Sequence, residues 1–260
     1  MPRFAANLTM MFTEWDFLDR FAAAADAGFD AVEFLFPYAH PPEVIAGRLQ
    51  RHRLAPALFN GPPGDWDNGE RGFAALPARR AEFEASIATA LRYVAAIGVG
   101  RLHVMAGIAP SNDAAALAAF ESAIGFACDR AQEAKIDIVI EPINPRDVPG
   151  YFLNNFDTAA AIVRRLARPN LKLQFDIYHR QIIHGDVIRG LEAMMPIIGH
   201  IQTASVPERH EPGSGELDDA RVFATLDRLG YAGFVGCEYR PAAGTVDGLG
   251  WFRAMQERAR

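Results

Sequence analysis

Asp137-Ile138-Val139-Ile140-Glu141 and Leu171-Lys172-Leu173-Gln174-Phe175-Asp176 frame the amphipathic stretch Phe156–Leu166, and this one unit decides the fold. The two apolar runs have strand length and are rich in β-branched and aromatic residues, whereas the stretch between them carries apolar residues at helical spacing. Strand, helix, strand is the signature of a parallel crossover. The same rhythm extends in both directions. Upstream, the sequence predicts strands at Arg3–Leu8, Asp30–Phe36, Leu54–Phe59 and Arg101–Met105. The helices between them are a face carrying Phe17, Leu18, Phe21, Ala24 and Ala25, then Pro41–His52, Pro77–Ile97 and Asp113–Ala134. Downstream it predicts a helix over Ile182–Met195 with a glycine interruption, a strand at Ile197–Gln202, a helix over Asp218–Leu229, a strand at Gly233–Glu238 and a last helix over Val246–Arg258. Gly28, Gly98 and Gly230 stand where helices end on a left-handed residue. Eight strands and eight helices with no break in composition point to a single α/β domain over residues 1–260, a (β/α)8 TIM barrel. An open doubly wound sheet would place a glycine-rich phosphate loop straight after a strand, but Gly98 and Gly100 precede one.

The chain of 260 residues suits one such barrel, and 50% hydrophobic against 22% charged residues allows a sizeable core. A formal charge of −6 argues against a nucleic-acid partner, which calls for a basic face. Cys128 and Cys237 cannot staple a chain of this size and read as buried thiols in a reducing, cytoplasmic setting. No apolar run reaches the ~20 residues that span a bilayer, so no membrane partner is expected. A homo-oligomer is compatible with this reading and not required by it.

In a barrel the C-terminal ends of all strands share one rim, where function is built. Four strands here end on oxygen-bearing side chains: Glu141, Asp176, Gln202 and Glu238. They recur roughly once per β/α unit, so the fold brings them together. A single acid in such a place commonly caps its strand or pairs with an arginine. Several carboxylates at one rim repel each other and are costly to bury, and a divalent cation resolves that conflict. An all-oxygen set suits a hard ion, Mg2+ or Mn2+.

At these residues the chain resembles the hydroxypyruvate isomerase family within the xylose-isomerase-like barrels. The resemblance is carried by Asn7-Leu8, Val32-Glu33-Phe34, Gly64-Asp65-Trp66 with Gly69-Glu70-Arg71-Gly72, and Glu141-Pro142-Ile143-Asn144. It continues through Asp176-Ile177-Tyr178-His179, Gly199-His200-Ile201-Gln202, Arg209-His210-Glu211-Pro212-Gly213 and Gly236-Cys237-Glu238-Tyr239. It implies that Glu141 and Glu238 form an acid/base pair and that Glu141, Asp176, Gln202 and Glu238 hold the metal. Phe59, where several members have His, and Arg240, where Lys is common, bear on substrate identity. The implied reaction converts hydroxypyruvate to tartronate semialdehyde, or a four-carbon oxo-acid likewise, through an enediolate. The substrate is thus a small hydroxy-carbonyl acid.

Its carboxylate calls for cationic partners. Arg71, in the Gly/Pro-rich stretch Gly61–Leu76 that reads as a lid, and Arg209, beyond the seventh strand, are the first choices. His179, three residues past Asp176, is placed to hydrogen-bond a substrate hydroxyl, and Asn60 closes the third strand. Glu33 reads as a residue that orients a partner, and His103 as a satisfied core histidine. A ketose 3-epimerase with the same paired glutamates, a metal-dependent endonuclease and a non-catalytic sugar binder are the rival readings.

Overall fold

The computed structural model describes residues 1–258. Eight parallel strands close into a barrel in sequence order: β1 Arg3–Asn7, β2 Ala31–Phe34, β3 Ala55–Asn60, β4 Arg101–His103, β5 Asp137–Ile140, β6 Leu171–Asp176, β7 Ile198–Thr203 and β8 Phe234–Cys237. Closure comes from β1 pairing β8, with Phe4 opposite Val235. The surrounding helices are α1 Arg20–Asp26, α2 Pro42–His52, α3 Arg80–Ile97, α4 Ala114–Glu133, α5 Phe156–Leu166, α6 Ile177–Ile183, α7 Val187–Met194, α8 Asp219–Arg228 and α9 Gly250–Arg258. Among the described residues no helix is long and apolar enough to cross a membrane.

Local chemistry sets the helix ends. Asp113 and Asn155 accept backbone N–H groups at the starts of α4 and α5, which satisfies donors that have no partner inside the helix. Gly98 ends α3 in the left-handed region, as its place in the sequence predicts. One expectation is corrected. The helix expected over Ile182–Met195 is two helices, because Gly185 and Asp186 both take positive φ, at 61° and 45°, and break the ladder between α6 and α7. The helix α6 instead follows β6 at once, with Asp176 as its N-cap accepting from Tyr178 N at 2.7 Å.

Strand side chains alternate between faces, so residues two apart share one. At the closed end Ala5, Ala31 and Ala57 pack as a small cluster. Two residues further along β1 and β2 stand Asn7 and Glu33, whose side chains are hydrogen-bonded to each other. Period two along the later strands pairs Gln174 with Asp176, His200 with Gln202, and Gly236 with Glu238. The barrel is thus apolar below and polar at its C-terminal mouth. Gly236 makes room for that change: a Cβ there would overlap the Glu33 carboxylate. Cys128 and Cys237 are free and buried.

Candidate active site

A cavity of about 770 Å³ opens at the C-terminal mouth, and its wall includes Asn60, Arg71, His179, Arg209, Glu141 and Glu238. Of the residues expected at the site, these six line it together. Glu141 and Glu238 sit one residue beyond the ends of β5 and β8, and Asp176 closes β6. Glu141, Asp176, His179 and Glu238 each offer one ligand atom, and these atoms lie within 4.8 Å of one another. All four residues are buried.

Close burial of three carboxylates reshapes their acidity. Burial, reinforced by the Glu238 and Asp176 charges, pushes Glu141 well above the usual carboxylate range. Glu238 is pushed up to about 8 by burial, against the opposing pull of Arg209. Asp176 is raised by burial to about 6. Glu141 Oε1 has no hydrogen-bond partner among the described residues. A buried carboxylate oxygen in that state is expensive unless something cationic sits beside it. The oxygen donors and the unpartnered atom therefore fit a divalent ion.

The neighbours of His179 fix its tautomer. Its Nδ1 lies 2.7 Å from Asn144 Nδ2 and accepts from Asn144 N at 3.4 Å. Two donors at Nδ1 leave the ring proton on Nε2, which then faces Asp176 Oδ2 at 3.6 Å and Glu141 Oε1 at 3.9 Å. Burial, with Arg209 nearby, keeps the ring neutral by holding its pKa well below the ordinary value. A protonated Nε2 donates a hydrogen bond and does not ligate a metal. This geometry fits the substrate contact expected of His179 better than a ligand role.

Gln202 is buried in register with Asp176. Its Nε2 donates to Glu33 Oε1 at 2.8 Å and its Oε1 accepts from Gln174 at 2.7 Å. Glu33 also accepts from Asn7 at 2.9 Å and meets His200 Nε2 at 2.7 Å, and Asn7 reaches on to Glu238 at 3.4 Å. Glu33 thus orients partners, as its place in β2 suggests. Asn7, Gln174 and His200 complete the network and lie outside the set expected from sequence. Asn7 and His200 stand in the blocks that carry the resemblance, but beyond that the signal of all three is a polar side chain in an apolar strand.

Arg209 takes a left-handed backbone conformation, φ 57°. Its guanidinium donates to Glu238 Oε2 at 2.5 Å, reaches Asp176 Oδ2 at 3.5 Å and Asp147 Oδ2 at 3.2 Å, and lies 4.7 Å over the Tyr178 ring. Arg71 lies 3.7 Å over Trp66 in the Gly61–Leu76 loop and donates to the carbonyls of Trp66 and Glu70.

Two expectations are corrected. His103 is fully buried but not satisfied: neither ring nitrogen has a hydrogen-bond partner among the described residues, and the residue lies on the cavity wall 3.8 Å from Glu141. Burial lowers its pKa to about 3, so it is neutral there. Phe59 does not reach the cavity; its ring packs beside Phe34 and Tyr38 in the core. Arg240 does line it.

Comparison with known proteins identifies the family. Residues 21–255 match the family described as xylose isomerase-like TIM barrel. A protein named 2-oxo-tetronate isomerase from Cupriavidus necator is 53% identical, over 97% of this chain and 98% of its own length. One named hydroxypyruvate isomerase from Escherichia coli K12 is 39% identical, over 96% and 98%. A solved structure described as AP endonuclease, family 2, from Brucella melitensis superposes with a TM-score of 0.96 at 47% identity, covering 98% of this chain and 99% of that one. The chain belongs to the xylose isomerase-like TIM barrel family, and within it to the isomerases related to hydroxypyruvate and 2-oxo-tetronate isomerases.

Proposed function

We propose that this chain moves one proton between adjacent carbons of a small 2-oxo-3-hydroxy acid, with Glu141 and Glu238 as the acid/base pair. The observation that carries the reading is the approach of these two glutamates, from the ends of β5 and β8, to within 4.8 Å of each other and of Asp176, on the wall of one cavity. One glutamate, as carboxylate, takes the proton from C3 as the C2 carbonyl becomes an enediol oxygen. The other, protonated, delivers a proton to C2 while the O3 hydroxyl proton passes to O2, so the ketone and hydroxyl exchange places with no redox partner, and the two glutamates reset by proton exchange with solvent. A positioned carboxylate of this kind is worth roughly 10²–10⁴-fold in rate.

Glu141, Asp176 and Glu238 would hold Mg2+ or Mn2+, joined by Gln202, whose Oε1 keeps a second lone pair beyond its bond to Gln174. When bound, the ion supplies Lewis acidity to the substrate's neighbouring oxygens. His179 Nε2–H is placed to donate to a substrate hydroxyl. Arg209 and Arg71 receive the carboxylate, and Asn60 lines the wall beside them. The 53% identity to a relative named for a four-carbon substrate favours that length over hydroxypyruvate.

Two rivals carry less. Arginines at 71, 209 and 240 suit an acid better than a free ketose, and solved 3-epimerases at about 20% identity share the barrel alone. An endonuclease needs a basic channel, which a charge of −6 does not favour. The deciding test is an NMR assay in D2O with Mg2+, offering hydroxypyruvate, four-carbon 2-oxo acids and free ketoses side by side. Deuterium should enter the carbon next to the carbonyl of an acid, and Glu141→Gln and Glu238→Gln should each cut that exchange by at least about 10²-fold. Wild-type exchange confined to ketoses, or near-normal exchange in either variant, overturns the reading.

A further inference from the structure

Arg209 reaches into the carboxylate cluster from the loop after β7. It contacts Glu238 Oε2 at 2.5 Å and Asp176 Oδ2 at 3.5 Å, and Asp147 Oδ2 holds its other terminal nitrogen at 3.2 Å. Glu238 and Asp176 are two of the three carboxylates that converge within 4.8 Å. Glu141, the one carboxylate without a contact to Arg209 within bonding distance, is also the one left with an unpartnered buried oxygen. The guanidinium therefore already neutralises part of the charge that a divalent ion would neutralise.

Two cations cannot share those oxygens without cost. A positive charge beside a metal position opposes binding of the metal even at a protein-like dielectric. Arg209 has other partners: Asp147 holds its other terminal nitrogen, the Tyr178 ring lies 4.7 Å from its guanidinium, and it lines the cavity where an acid substrate would lie. Resting on the reading of this site as a metal and acid site, we propose that Arg209 is an exchangeable internal counterion, and that capture of its guanidinium by a bound carboxylate frees Glu238 and Asp176 for the metal. Acid and divalent ion then strengthen each other's binding, and by linkage the factor is the same in both directions. Arg209 is a positioning residue in this role, acting on the metal through the carboxylates it releases.

The experiment is calorimetric titration of metal-free protein with Mn2+, with and without saturating glycerate, a hydroxy acid that lacks the carbonyl and cannot isomerise. In the wild type, glycerate should tighten Mn2+ binding about tenfold. In Arg209→Gln, Mn2+ alone should bind at least about tenfold more tightly than to the wild type, since the competing charge is gone. Glycerate should then change its affinity less than twofold. Direct chelation of Mn2+ by glycerate would instead give the same tightening in both proteins, and that result overturns the inference while leaving the metal site intact. Equal or weaker Mn2+ binding by Arg209→Gln alone overturns it too. Absence of Mn2+ binding from both proteins overturns the inference together with the metal site. The wild-type arm stands whether or not the variant folds: no effect of glycerate there is sufficient to reject the proposal.

Discussion

Glu141 pairs an unsatisfied carboxylate oxygen with a neighbouring neutral His103 that also lacks partners. Without a metal, that carboxyl is a burden on the fold, and the sign of its pH effect can be worked out. Its folded-state pKa lies well above the unfolded value of roughly 4.3. The folded protein therefore binds more protons than the unfolded chain across the intervening range, and stability falls as pH rises through it. Glu141→Gln removes the charge. The metal-free variant should melt higher than metal-free wild type at pH 7, and the gap should shrink toward pH 4; differential scanning calorimetry at both pH values reads it. A variant less stable than wild type at pH 7 would mean that Arg209 already offsets the Glu141 charge. The same substitution should abolish turnover, so stability and activity move in opposite directions at this residue, as expected where function keeps a costly group buried. From sequence, Glu141, Asp176 and Glu238 could be found because each ends an apolar strand. His103 could not be read the same way, because a histidine within a strand looks alike whether its nitrogens are satisfied or orphaned.

The strand ends were legible because period-two alternation and barrel geometry both speak through the chain order; the loops were not. Nothing in periodicity places Arg209 against Glu238, or tells that Gly185 and Asp186 would split one helix into two. The loop Gly61–Leu76 was recognisable by its glycine and proline content, but its attachment is a tertiary fact. It is pinned to the barrel by an isolated antiparallel bridge between Gly72 and Ala106, and Ala75 N donates to Ala106 O at 2.7 Å. Gly72 holds φ at 103°, and a Cβ there would overlap the Met105 backbone, which cannot swing aside as a side chain could. Gly72→Ala should therefore unseat the bridge and cost about 1–3 kcal/mol of stability. Because Arg71 immediately precedes it and lines the cavity, KM for the acid should rise several-fold while kcat changes less. Steady-state kinetics with matched thermal melts separates the two effects; an unchanged KM would detach the loop from substrate binding.

At the scale of the whole barrel, the carboxylates that meet at the mouth come from β5, β6 and β8, strands separated in the chain but neighbours or near neighbours around the closed ring. The curved run of β5, β6, β7 and β8, paired in that order, carries Glu238 round toward Glu141, and the polar network of Asn7, Glu33, Gln202 and Gln174 runs across the same mouth from β1 to β6. A divalent ion bound there would tie together the ends of β5, β6, β7 and β8, and the unfolded chain has no comparable site. Binding to the folded state alone stabilises it by about 2.7 kcal/mol at a free ion concentration 100 times Kd. For a chain of this size each kcal/mol raises Tm by roughly 2–4 °C. Mn2+ at that concentration should therefore raise the melting temperature by roughly 5–10 °C over protein treated with chelator. In Asp176→Asn the rise should largely vanish, because Asp176 is the carboxylate between the other two; the variant's own metal-free melt serves as the baseline. An equal rise in wild type and Asp176→Asn would place the ion elsewhere on the molecule and leave the glutamate pair to work without it.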